Sequence, residues 1–267
     1  MFCVLLITVS ACERQAPPAT AVSAANCQPL PGTTAQVSGA ANSTTLQTES
    51  ALSPESKVSL RFEAPQFGEH VALADPRGYQ VRWASELAEA DALGVDLALD
   101  GERPRRLSGT QRVVTLGQLL PIDRELTPGA HWLFAAAVSA SGLVPRGGPG
   151  LPRAAVARRF FIGGVANDVP SSSGALWLRK PEGTYNGATD SARVLCDAFM
   201  FSSAGTPLDA PLTIALRAPG ITGELRLPAP FFMRDVPSGD YEVQVSAAGV
   251  GPSTTNFTVN RELGGTP

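Results

Sequence analysis

The sequence contains few of the residue types that catalytic and metal sites usually need. It has two histidines, His70 and His131, and four cysteines, none of them in C-x-x-C spacing. A G-x-S-x-G nucleophile elbow, an H-E-x-x-H zinc motif and a Gly-Lys-Ser/Thr phosphate loop are all absent from the chain. We therefore expect no metal, no cofactor and no enzymatic activity, and we interpret His131 as a strand-start residue and His70 as a solvated one.

The sequence also has little net charge and no long apolar run. The net charge is −3, with 21 basic and 24 acidic residues, so no field of one sign dominates the chain and nucleic acid is not an expected partner. The apolar stretch at the N-terminus is about ten residues long, whereas a helix that spans a bilayer needs about 20. A transmembrane helix at that end is excluded.

Glycine and proline, in contrast, are abundant, with 26 Gly and 23 Pro in 267 residues. This content interrupts long helices and favours many short strands joined by turns. The hydrophobic fraction of 43% is sufficient for real cores, and the length fits two domains of ordinary size. We predict an all-β protein.

The N-terminus carries a recognisable pattern of small residues before a cysteine. The apolar run from Phe2 to Val9 is followed by Ser10-Ala11-Cys12, which resembles the lipobox of bacterial lipoproteins. The resemblance implies that residues 1–11 are a signal peptide and that acyl chains on Cys12 hold the protein to a lipid bilayer. It places the protein at the bacterial cell envelope and favours the outer membrane. The alternative is a buried N-terminal strand.

Residues 12–57 are rich in Ala, Thr, Ser, Pro and Gln and contain few large apolar side chains. Such a segment cannot bury enough surface to offset its chain entropy, so we predict a disordered tether. Cys27, within it, either stays free or forms a disulfide with Cys196 in an oxidising compartment.

Two stretches of similar organisation follow the predicted tether. Short strands with period-two alternation and turn residues at regular spacing predict sandwiches over residues 58–164 and 174–263, joined by a linker at 165–173. The one helix that we expect begins after Ser85 and runs from Glu86 to Leu93. The spacing of about seven strands in about 105 residues is typical of an immunoglobulin-like sandwich.

One turn-strand motif occurs in both stretches. Leu126-Thr127-Pro128-Gly129-Ala130-His131 is echoed by Val236-Pro237-Ser238-Gly239-Asp240-Tyr241. The motif resembles the Gly turn and Tyr strand start of immunoglobulin-like and fibronectin-like modules. That resemblance implies that Tyr241 tucks under the sheet corner and bonds back to the backbone, with His131 as its looser equivalent.

The strand after His131 differs from its echo in having apolar residues at both parities. Trp132 and Phe134 stand where the second strand has Glu242 and Gln244. This face is therefore a candidate interaction surface. Its cover is either the neighbouring domain, a long loop at residues 139–153, or an external partner.

Four arginines, Arg103, Arg105, Arg106 and Arg112, cluster around one predicted hairpin. They form either a solvated face or a site for an anionic ligand such as a surface polysaccharide or a lipid headgroup.

Together these features predict an envelope lipoprotein with a structural or binding role towards a protein or polysaccharide of the envelope. The alternatives are an envelope hydrolase with a carboxylate pair in a cleft, and an adhesion or carbohydrate-binding module. The second alternative requires exposed coplanar aromatic rings among Trp83, Trp132, Trp177 and Tyr185.

Overall fold

The computed structural model describes residues 33–38, 43–50, 58–72, 74, 76–87, 94–145, 153–163, 174–187, 193–208, 212–218, 221–227, 230–234 and 236–261. Regular structure in these ranges is almost entirely β-strand, with short 3-10 turns at Pro76–Gly78 and Leu116–Leu119. The predicted all-β class is confirmed. The predicted signal peptide at residues 1–11, Cys12 and the predicted linker at 165–173 lie outside the described ranges.

The first sandwich is built from eight strands. They are β3 (Val58–Ala64), β4 (His70–Val71), β5 (Gln80–Leu87), β6 (Gly94–Leu99), β7 (Arg105–Leu107), β8 (Val113–Thr115), β9 (Gly129–Val138) and β10 (Ala155–Ile162). One sheet has the order β3-β5-β8 and the other the order β4-β10-β9-β6-β7. Phe62 and Trp83 from the first sheet pack with Leu97, Leu133 and Phe160 from the second, so the core lies between the sheets.

The second sandwich uses nine further strands. They are β11 (Gly174–Lys180), β12 (Gly183–Asn186), β13 (Arg193–Ser202), β14 (Pro207–Leu208), β15 (Leu212–Ala218), β16 (Ile221–Leu227), β17 (Phe231–Arg234), β18 (Gly239–Ala247) and β19 (Val250–Asn260). One sheet contains β17-β13-β11, with β14 on β13, and the other has the order β12-β19-β18-β15-β16. Val194, Ile214 and Val243 are in its core.

The two sandwiches share one connectivity. In each, the first strand (β3 or β11) belongs to one sheet, and the short next strand (β4 or β12) pairs in parallel with the last strand of the other sheet. The remaining pairs are antiparallel, as the period-two patterns predict. This is an immunoglobulin-like arrangement of two facing sheets. The residue limits of the domains stay a prediction.

Part of the predicted tether forms strands. β1 (Thr33–Ser38) pairs with β2 (Ser43–Ser50), and β2 adds to β17 at the edge of the second sandwich. The prediction of a continuous disordered tether over 12–57 is therefore wrong for these two segments. Composition did not reveal them because β17 supplies the hydrogen-bonding edge on which they form.

The predicted helix from Glu86 to Leu93 is wrong at its start. Glu86 and Leu87 continue β5, opposite Ser59 and Val58 of β3. The ladder with β3 satisfies their backbone groups, and this tertiary pairing outweighs a weak local helix preference. Residues 88–93 lie outside the described ranges.

A third group of buried side chains joins the two sandwiches. The outer faces of β9 and β10 contribute Phe134, Ala136 and Ala157, and β11 and β13 contribute Trp177 and Phe201. The outer face of the first sandwich is therefore packed against the second sandwich.

Candidate functional site

The face of β9 that was predicted to be an interaction surface lies inside the contact between the sandwiches. Phe134 is 2% exposed and stacks on Trp177 at 5.5 Å and near Phe201 at 5.6 Å between ring centroids. The second sandwich covers Phe134, so this residue is not a free surface for an external partner. Trp132 is half-buried, stacks on Phe134 at 6.3 Å and lies at the margin of the contact.

A buried ionic network crosses the same contact. Arg179 of β11 donates to Asp197 of β13 at 2.6 and 2.8 Å and to Asp96 of β6 at 2.7 Å. Arg153 also donates to Asp197, and Arg106 donates to Asp96. The side chains of Arg179 and Asp197 are 0% exposed. One arginine therefore bridges carboxylates of both sandwiches in the protein interior.

The charges of this network stabilise one another. Burial raises the pKa of Asp197, but the charges of Arg153 and Arg179, with their hydrogen bonds, lower it below its usual value. Burial also raises the pKa of Asp96, whereas the hydrogen bond from Arg106 and the charge of Arg179 lower it overall. Burial lowers the pKa of Arg179, while its two carboxylate partners raise it. All these groups remain ionised at neutral pH.

This network was not predicted from the sequence, although the sequence contains a signal for it. Asp197 stands inside the apolar run from Val194 to Phe201, and Asp96 stands between Val95 and Leu97. A charge in a buried strand requires an ionic partner. Sequence alone does not say which arginine supplies it, because Arg179 and Asp96 are 83 residues apart.

A cleft of about 820 Å³ opens beside the network, between the two sandwiches. Its first wall is the β6–β7 hairpin at residues 100–104 together with Trp132 and Phe134. Its second wall is formed by β11 and by the first half of β19, residues 250–256. Both sandwiches therefore build the candidate site.

The first copy of the turn-strand motif adjoins this cleft, because Trp132 and the His131 partner Asp100 line it. Tyr241 is 3% exposed, and its hydroxyl donates to the carbonyl of Pro237 at 2.8 Å. At the matching position, Nε2 of His131 lies 2.8 Å from the carbonyl of Thr127, and Nδ1 lies 2.7 Å from Asp100. In both motifs the side chain thus forms a hydrogen bond with a backbone carbonyl four residues earlier in the chain. His131 also pairs with Asp100, which lines the cleft.

The protonated form of His131 is favoured by its surroundings. Burial alone lowers the pKa of His131, but the hydrogen bond and charge of Asp100 and the hydrogen bond to the Thr127 carbonyl raise it overall. Both ring nitrogens face acceptors, and only the imidazolium donates from both. In its protonated form His131 therefore donates to both Asp100 and the Thr127 carbonyl.

The other carboxylates of the cleft also have cationic partners. Glu102 pairs with Arg124. Glu182 pairs with Lys180 and, at 3.3 Å, with Arg103 across the cleft. Among the described residues that line the cleft, Asp100, Glu102 and Glu182 are thus each paired with a basic side chain.

The four arginines of the predicted anionic site have separate partners. Arg105 donates to the Gln118 carbonyl at 2.7 Å, and Arg112 donates to the backbone carbonyls of Gly109 and Gln111. Arg106 belongs to the buried network, while Arg103 lines the cleft. The structure thus directs these side chains to different places, and of the four only Arg103 lines the cleft.

The remaining predicted aromatic and cysteine positions are mostly buried. Trp83 is 1% exposed and Trp177 is 0% exposed, while Tyr185 packs edge-on against Phe257. Cys196 is buried in the second core, and burial raises the pKa of its thiol. Cys27 lies outside the described ranges.

In the described ranges, no group of three or more His, Cys, Asp or Glu side chains is arranged to hold a metal ion. In the same ranges, no helix has the length and hydropathy needed to cross a bilayer.

No protein-family model matches this sequence, and no curated protein matches it either. Among solved structures, it is similar to a β-glucuronidase of Parabacteroides merdae at 9% identity, over 78% of this chain and 24% of that chain, with a TM-score of 0.24. It is similar to α-2-macroglobulin from Escherichia coli at 12% identity, over 83% of this chain and 18% of that chain, with a TM-score of 0.30. A 1.5-MDa bacterial ice-binding adhesin matches at 12% identity, over 86% of this chain and 74% of that chain, with a TM-score of 0.25.

Proposed function

We propose that this protein is a lipoprotein of the bacterial cell envelope, anchored to the membrane through Cys12, and that it binds a partner in the cleft between its two sandwiches. The binding role is supported by the observation that the two sandwiches build the cleft together. Residues of both sandwiches line it, and the Arg179 network holds its walls together. A preformed concave site with a half-buried aromatic ring and polar rims is typical of binding sites.

We further propose that the role is non-catalytic. The hydrolase alternative needs a carboxylate pair that is free to exchange protons, and Asp100, Glu102 and Glu182 each have a cationic partner. The carbohydrate-binding alternative is supported by Trp132, which lines the cleft, but not by Trp83 and Trp177, which are buried.

The anchor is tested by fractionation of cells that express the full chain. Replacement Cys12→Ala should move the protein from the membrane to the soluble fraction, because the acyl chains are lost. Cys3→Ala is the matched control and should leave the protein in the membrane. Equal membrane association of both variants would contradict lipidation at Cys12.

The binding role is tested by photo-crosslinking in the intact envelope. A photoreactive amino acid at Arg103, whose side chain is 76% exposed at the cleft, should form an adduct with the bound partner. The same amino acid at Ile122, which is 97% exposed and is not a cleft residue, is the control. Identical adducts at both positions, or none at Arg103, would contradict binding in the cleft.

A further inference from the structure

The β1–β2 strand pair precedes the first sandwich in the chain, yet it lies on the second sandwich. β2 ends at Ser50, and β3, the first strand of the first sandwich, begins at Val58. β2 nevertheless pairs with β17, from Ser50 opposite Phe231 to Gln47 opposite Arg234. The chain therefore adds two strands to a sheet of the second sandwich, leaves to build the first sandwich, and then returns to complete the second.

The strand that accepts this pair is fixed within the second sandwich. On its other edge β17 pairs with β13, from Arg234 opposite Arg193 to Phe231 opposite Cys196. Phe231 and Met233 of β17 are buried members of the second core. A segment that is attached to β17 is therefore attached to that core.

The β1–β2 pair is held at more than one place. β2 lies between β1 and β17 in the sheet, so both of its edges are paired. β1 pairs with β2 over Thr33 to Ser38 and also lies beside β16, the last strand of the opposite sheet. The pair therefore contacts both sheets of the second sandwich and covers an edge of β17 that would otherwise lack a strand.

We propose that the β1–β2 pair is a strap through which the membrane anchor holds the second sandwich. This inference rests on the proposed anchor at Cys12. In the chain, the first sandwich is closer to Cys12 than the second sandwich is. A force on Cys12 nevertheless reaches the strap on β17 before it reaches β3, because the strap comes first in the chain. The second sandwich therefore carries the anchor.

The strap also limits how far the sandwiches stand from the bilayer. A fully extended chain spans at most ~3.6 Å per residue, so the stretch from Cys12 to Thr33 reaches about 75 Å. Without the strap, the stretch from Cys12 to Val58 would reach about 165 Å. Strand pairing on β17 therefore shortens the maximum reach to less than half.

Cleavage of the chain on either side of the strap tests this inference. A recognition site for a sequence-specific protease is inserted between Leu52 and Ser53 of the full-length protein, and isolated membranes are treated until the uncut chain disappears. The strap should keep most of the cleaved sandwiches in the membrane pellet, although no covalent bond then joins them to Cys12. The same site between Ala24 and Ala25, which precedes the strap, should release them into the supernatant.

Two prolines in β2 provide a variant in which the strap is broken. Consecutive residues of an antiparallel strand direct their N–H groups to opposite edges. Thr48→Pro together with Glu49→Pro therefore removes one N–H that faces β1 and one that faces β17. This variant should enter the supernatant after cleavage between Leu52 and Ser53. Thr48→Ala together with Glu49→Ala is the matched control and should stay in the pellet.

The outcomes separate this inference from the proposed anchor. Release of the wild-type sandwiches after cleavage at either site would overturn the strap and still support an anchor at Cys12. Retention after cleavage between Ala24 and Ala25 would refute the anchor at Cys12, and the strap with it. Equal retention of the proline and alanine variants after cleavage between Leu52 and Ser53 would show that strand pairing does not hold the sandwiches, and would overturn the strap.

Discussion

Removal of one charge from the buried network should destabilise the contact between the sandwiches. Asp197→Asn keeps the size of the side chain but removes its negative charge. Arg153 and Arg179 then lose their shared carboxylate, and Asp96 remains as the single anion near three arginines. The surplus of positive charge in the cluster doubles from one to two, at a site where Asp197 and Arg179 are 0% exposed.

The expected loss in the free energy of unfolding is large, because water cannot reach the buried arginines to replace the missing carboxylate. Breaking a buried ion pair by removing one member typically costs about 3–5 kcal/mol. The side-chain amide that replaces the carboxylate would still be able to accept one hydrogen bond, so we expect a loss near the lower end of that range, about 3 kcal/mol.

An exposed ion pair provides the matched control. Arg217 and Glu242 lie 3.1 Å apart on the second sandwich, with 55% and 39% exposed side chains. Glu242→Gln should cost about 0–1 kcal/mol, because solvent screens such pairs. The assay is urea unfolding followed by tryptophan fluorescence, since Trp177 lies in the contact itself. Equal losses for Asp197→Asn and Glu242→Gln would refute an energetic role for the network.

The pH dependence of unfolding gives an independent check. The pKa values of Asp96 and Asp197 in the folded protein are below their usual range. Their contribution to stability is therefore present above the unfolded value of about 3.9 and is lost as the pH falls through the folded values. The wild type should lose more stability below pH ~4 than Asp197→Asn does.

Three further predictions concern the corners and the contact. Tyr241→Phe should lower the free energy of unfolding by about 0.5–1.5 kcal/mol in urea titrations, since one hydrogen bond is lost. An unchanged urea midpoint would show that the hydrogen bond of Tyr241 does not stabilise the second sandwich. The raised pKa of His131 contributes stability that is complete below its unfolded value and is lost as the pH rises through the folded value. His131→Phe should remove this slope from a pH series of unfolding. Gly68→Ala, at φ +73° with free space, should cost about 1–2 kcal/mol. Gly205→Ala, at φ +82°, should cost more in the same assay, because its methyl group would collide with the Ala157 carbonyl of the first sandwich.

The local patterns predicted most strands of both sandwiches. Alternation in the segments around Val58 and Tyr241 matches β3 and β18, because one face of each strand is buried. The segment around Val95 is also a strand, β6, but both of its faces are buried. The turn-strand motif predicted the Tyr241 corner, since its hydrogen bond spans four residues of the chain. Interactions between residues that lie so close together in the chain can be predicted from the sequence.

Long-range partners were not predictable in the same way. The predictions of a helix at Glu86 and of a disordered tether at residues 33–38 and 43–50 were wrong because strand partners, β3 for the first and β17 for β2, supply the backbone hydrogen bonds. The candidate site was predicted in part. Trp132 and Arg103 were singled out, but their common cleft with β11 was not.

The sequence by itself determined the all-β class, the strand alternation and the corner at Tyr241, because each depends on residues close together in the chain. It also showed that the strand of Trp132 and Phe134 is apolar at both parities. Only the tertiary structure decided what covers that strand, which arginine neutralises Asp197 and which residues line a common cleft. Those features depend on the packing of one sandwich against the other, and no local pattern encodes the geometry of that contact.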